Sequence, residues 1–137
     1  MKSIFLTLAV GLAVLASAPV WARPNSGPKD AVPRYDTATE AVIKGTVAEV
    51  KDRECPVSGG RLGSHIVLKL ADGTTIEVHL APKKFVSDYD LTFKPGDELE
   101  VTGSKVTFEG VATIFAKEVK RGSDVFVFRD KDGKPVW

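Results

Sequence analysis

Cys55, His65 and His79 carry the side chains in this chain best suited to hold a metal ion, and they are its one cysteine and its two histidines. Two imidazoles and a thiolate suit copper or zinc and leave a position open for a weak fourth ligand. The histidine pair alone can also act as a pH sensor, because two protonated neighbours repel each other. The intervals Cys55-x9-His65-x13-His79 follow no established ligand spacing, so only the fold can bring the three together. The plainer alternatives are two solvated histidines on a polar strand face and a cysteine buried as a small hydrophobe. An unpaired cysteine in an oxidising compartment also raises intermolecular disulfides.

The two histidines can be placed by strand register. Residues 65–70 and 74–80 read as strands around Ala71-Asp72-Gly73, a hairpin signal. In a two-residue loop, where paired residue numbers sum to 145, Ile66, Leu68 and Leu70 share a face with Thr75, Glu77 and His79. That mixes core with surface. In a three-residue loop, where they sum to 144, the same residues share a face with Thr74, Ile76, Val78 and Leu80. His65, Val67, Lys69, Thr75, Glu77 and His79 then line the other face. Only the second register separates apolar from polar, and a one-residue slip would bury Glu77 while exposing Ile76 and Val78. It sets His65 directly opposite His79, with Cβ atoms about 4.5–5.5 Å apart. Lys69 lies diagonal to Glu77, which suggests a salt bridge between them.

The elements that must carry this hairpin begin after an N-terminal address. Met1-Lys2-Ser3 and the uncharged run Ile4–Ala18, followed by Val20-Trp21-Ala22, have the plan of a secretory signal peptide (residues 1–22) cut after Ala22. The apolar run of about 15 residues is short of the roughly 20 that span a bilayer. No membrane span is expected after cleavage, and the expected location is periplasmic or secreted. Cleavage leaves 115 residues, and the loss of Lys2 leaves equal numbers of basic and acidic side chains, 18 each. Such neutrality disfavours a strong grip on nucleic acid or an anionic membrane. Residues 23–38, with three prolines, read as a flexible leader.

From Thr39 the chain reads as short strands. Glu40–Asp52 is rich in Val, Ile and Thr, with Gly45 marking a bulge or bend. Residues 55–64 read as a loop. After the hairpin, Pro82 opens a short helix whose Phe85, Val86 and Tyr89 can cover a core. Leu99, Val101 and Gly103 alternate with polar residues in a fourth strand, a turn at Glu109-Gly110 leads to a fifth, and Val125–Phe128 forms a last one. This order is that of an all-β, five-stranded Greek-key OB-fold barrel with a short helix between strands 3 and 4, plus a C-terminal strand, over residues 39–137. Ile43-Lys44-Gly45-Thr46-Val47, the hairpin Ile66–Leu80, the segment Lys94–Gly103 and Ala116-Lys117-Glu118-Val119 resemble the small periplasmic bacterial OB-fold proteins, including those linked to stress tolerance. The resemblance spans residues 40–119 and implies a binding module, with no ligand specified.

Other chemistries fit poorly. Gly59–Ser64 lacks the ending and the following helix of a phosphate loop. The outer face of strands 2 and 3 offers no aromatic ring for stacking single-stranded nucleic acid. No nucleophile elbow accompanies Ser58 or Ser64, so no enzyme is expected. Phe126, Phe128, Val136 and Trp137 form either core or, on a free edge, a partner-binding patch, with core the expectation. The reading is an exported, non-enzymatic binding module for a small ligand, ion or protein partner. Its ligand surface comprises Arg61 in the strand 1–2 loop and His65, Lys69, Glu77 and His79 beside it. The alternative is a copper- or zinc-binding protein using His65, His79 and Cys55, and the position of Cys55 separates the two.

Overall fold

The computed structural model describes residues 32–137. The expected signal peptide, its expected cleavage point and residues 23–31 of the expected leader lie outside the described residues. The ordered contacts begin ahead of Thr39. Tyr35 donates a hydrogen bond to Glu40 at 2.8 Å, and the Asp36 amide donates to Ser104 Oγ at 3.1 Å.

Six strands alternate with short connections: β1 (Glu40–Cys55), β2 (Arg61–Leu70), β3 (Thr75–Pro82), β4 (Glu98–Phe108), β5 (Val111–Arg121) and β6 (Asp124–Val127). The single α-helix among the described residues, α1 (Lys83–Asp88), lies between β3 and β4, with Pro82 as its N-cap. The sheet order is β3-β2-β1-β4-β5-β6, and a parallel pairing of β3 with β5 closes the ring. This is the expected all-β barrel with its inserted helix and added C-terminal strand. No helix among the described residues is long and apolar enough to cross a membrane.

The hairpin has the 144 register: Ile66 pairs with Val78, Leu68 with Ile76, and His65 with His79. The turn explains why. Gly73 takes φ 85°, which glycine adopts without penalty. Asp72 accepts hydrogen bonds from the Thr74 amide at 2.9 Å and from the Thr74 hydroxyl at 2.6 Å. Ile66, Leu68, Ile76, Val78 and Leu80 are thereby delivered to a core shared with Val47, Val101, Ile114 and Val119. Phe128 is fully buried, while Val125 and Val127 face solvent. The phenylalanine side of the last strand is therefore core.

Two elements depart from the reading of the sequence. β1 continues past Asp52 to Cys55, and β2 begins at Arg61. The expected ten-residue loop is thus two strand ends joined by a 3-10 turn, Pro56–Ser58. Loop-like composition misled because Gly63 and Ser64 sit in the pairing and not in the turn. Gly103 stands where β4 shifts register against β5, and a Cβ there would lie on the Phe115 carbonyl. Gly103→Ala should lower unfolding free energy by about 2 kcal/mol or more, measurable by urea denaturation. A change below about 0.5 kcal/mol, the range of ordinary surface substitutions, would mean that the bulge relaxes freely.

Candidate metal centre

One cross-strand row builds the site. Lys51 pairs with His65, His65 with His79, and His79 with Phe115. Cys55 lies on the extension of β1, opposite Arg61. Between Cys55 and His65 stands Gly63, whose missing side chain opens the space they share. A Cβ at Gly63 would come within 3.0 Å of Cys55 Cβ and 3.2 Å of His65 Cε1. One donor atom from each of Cys55, His65 and His79 lies within 4.8 Å of the others. Cys55 Sγ is 3.5 Å from His79 Nδ1. Ligands bound at 2.0–2.3 Å in tetrahedral geometry stand roughly 3.5 Å apart, so this pair is already at coordinating distance.

All three residues are buried, with exposures of 1% for Cys55, 1% for His65 and 5% for His79. This corrects the expected solvated outer face. The parallel closure by β5 sets Phe115 against His79, and Phe108 packs edge-on beside it, each with ring centroids 5.4 Å from the imidazole. The two histidine rings meet edge-to-face at 4.1 Å.

The electrostatics define which nitrogens are free. Burial pushes the Glu77 carboxyl up, but the hydrogen bond and charge of Arg53, joined by the two histidines, hold it below the ordinary carboxylate range. Arg53 Nη2 donates to it at 2.7 Å, and His79 Nε2 lies 3.1 Å away. An ionised carboxylate only accepts, so His79 carries its proton on Nε2 and turns the Nδ1 lone pair toward Cys55. A carboxylate behind a histidine is the arrangement that orients metal-binding imidazoles. The Lys51 backbone carbonyl accepts a hydrogen bond from His65, while His65 Nδ1 has no partner.

The sequence-derived candidates divide accordingly. His65, His79, Cys55 and Glu77 come together. Lys69 does not pair with Glu77, because it sits beside the hairpin turn, opposite Thr75. Arg53 takes that role instead. Lys69 lines a separate open groove of about 600 Å³, with Lys44, Lys120 and Glu100 among its walls. Lys44 and Lys120 each face Glu100, at 3.5 and 4.0 Å, leaving no buried donor set there. Arg61 Nε donates to the Ser58 carbonyl at 3.1 Å, away from the rings. Arg53, Gly63, Phe108 and Phe115 went unseen in the sequence. Arg53 stands two residues before Cys55, so carrying β1 to Cys55 would have put both on one strand face.

Both histidines are held neutral. Burial, then the neighbouring His65, pulls His79 down to about 4. Burial and the Arg53 charge lower His65, against the opposing pull of Glu77 and Asp52. Unfolded histidine protonates near 6.5, so the unfolded chain binds more protons below that pH. For His79, stability is therefore fully present above about pH 6.5 and falls as pH drops toward 4, by up to about 1.4 kcal/mol per unit, and His65 contributes in the same direction. Urea denaturation of the metal-free protein across this window should show the decline, and His79→Asn should flatten it. Equal slopes in the two proteins would contradict neutral burial.

A family model described as the MamS/MamX magnetosome protein family matches residues 39–126. That segment includes Cys55, His65, His79, Glu77 and Arg53, and all of the span 40–119. Comparison with curated proteins finds no match.

Proposed function

Because the match covers well over half of its length, the chain belongs to the MamS/MamX magnetosome protein family, and from this premise we propose that it is a magnetosome-associated, exported, non-enzymatic binding module whose ligand is a copper or zinc ion held by Cys55, His65 and His79. The observation that carries the reading is the convergence of three buried donor residues, one of which, His65, keeps a ring nitrogen, Nδ1, without a partner. A buried polar atom left unpaired costs free energy, and an ion removes that cost. The second support is the Arg53–Glu77–His79 relay, which fixes a lone pair toward the thiol sulfur.

Cysteine and imidazole together suit copper or zinc better than calcium or magnesium, which take oxygen ligands. Both histidines are already neutral at pH 7, so neither has to lose its extra proton before it can bind an ion. Arg53 and Glu77 hold the site in position without touching the ion.

The test is titration of the reduced protein with Zn²⁺ and with Cu⁺, following both histidine rings by NMR. Both rings should shift together and saturate at one equivalent, and His79→Ala should abolish tight binding. Glu77→Gln should weaken affinity about 10–100-fold. Rings unmoved by metal at about 100 μM would end the reading, since dedicated sites bind far more tightly. Export has its own check. Protein recovered from the native cell should begin at Arg23 by intact mass, and a chain retaining Met1 would contradict it.

A further inference from the structure

Beside the cluster lies a small void of about 10 Å³, lined by His65, His79, Ser58, Ser64, Arg129 and Trp137 among others. Its volume holds one water-sized species. The two buried side-chain atoms without a hydrogen-bond partner among the described residues, His65 Nδ1 and Arg129 Nε, belong to two residues of this same wall.

Arg129 is 7% exposed. Its guanidinium is clasped between the rings of Tyr35 and Trp137, at 5.0 and 5.1 Å, and Nη1 donates to the Gly133 carbonyl at 2.9 Å. Among the described residues it has no carboxylate partner. Tyr35 supplies no negative charge, because burial and the Glu40 carboxylate push its hydroxyl far above its ordinary value. A buried cation without a counter-charge is costly, and this one shares a wall with two of the three metal-binding residues.

We infer that the void is the fourth coordination position of the metal centre and that it takes one small monatomic anion, a halide or hydroxide, between the ion and Arg129. The inference rests on the metal reading above and names the ligand that completes it. A divalent ion bound to one thiolate retains one positive charge, and Arg129 adds a second. A single anion offsets half of that excess. It also satisfies both unpaired atoms, because the ion takes the His65 lone pair while the anion accepts from Arg129 Nε–H. The serine hydroxyls of Ser58 and Ser64 can donate as well. The size of the void excludes polyatomic anions.

The test uses Co²⁺ as a spectroscopic stand-in for zinc, in chloride-free gluconate buffer at constant ionic strength and pH 7. Fluoride should shift the visible Co²⁺ bands saturably and chloride more weakly, whereas thiocyanate should not. Arg129→Gln should weaken halide binding at least tenfold while Co²⁺ still binds. If that variant does not fold, the anion-size series on the unaltered protein and Arg129→Lys, which keeps the charge but removes Nε–H, decide the question. Co²⁺ bands indifferent to halide, or equally shifted by thiocyanate, would overturn the anion site and leave the metal centre standing. Failure of Co²⁺, Zn²⁺ and Cu⁺ alike to bind would overturn both.

Discussion

The register of one hairpin decides most of what this molecule can do. With Gly73 left-handed and Asp72 holding Thr74, β2 and β3 pair so that every apolar strand residue between Ile66 and Leu80 except Val67 faces the barrel core. The same geometry obliges His65 to face His79. A strand has period two, so the core cannot be chosen without also choosing the other face. The histidine pair is thus locked in by the hydrophobic effect acting on its neighbours, which makes its geometry insensitive to the weak interactions of the rings themselves.

That lock would place two histidines in water if the barrel had only one buried face. It has a second, smaller core. β3 and β5 close the ring side by side, bringing Phe115 and Phe108 over His79, and the C-terminal segment lays Arg129 and Trp137 along the same side. Burying imidazoles favours their neutral form, and neutral imidazoles are ligands. The fold therefore produces metal-competent histidines by covering them. The carboxylate–arginine pair behind His79 then chooses which nitrogen points inward.

The barrel order, the helix position, the hairpin register and the opposition of His65 to His79 were all legible in the sequence, because each follows from period-two patterning and turn chemistry. The surroundings of the histidines were not. Patterning assigns residues to faces but cannot tell whether a polar-looking face is covered, since cover comes from strands distant in the chain, here β5 and the segment after Phe128. Gly63 and Ser64 looked like loop residues because glycine in a strand is usually a defect. In this chain the missing Cβ makes room for Cys55 and His65 to approach. Arg53 escaped notice for a related reason: β1 was ended three residues early, so its side chain had no assigned face.

A site built this way sits in tension with the stability of its barrel. Polar donors packed among aromatic rings contribute less than apolar side chains would, and an unpaired His65 Nδ1 and Arg129 Nε each detract further. The cost falls at one end of the barrel, and at the other side of the sheet Ile66, Leu68, Val78 and Val101 form an uninterrupted core. Such separation lets the closed ring hold its shape while the cluster stays short of its full complement of partners. Anything that binds the folded state alone and satisfies those atoms returns its binding free energy as stability. The protein would then be most rigid when loaded, and the segment from Phe128 to Trp137, which contacts both the void and the core, is the part of the fold placed to register the difference.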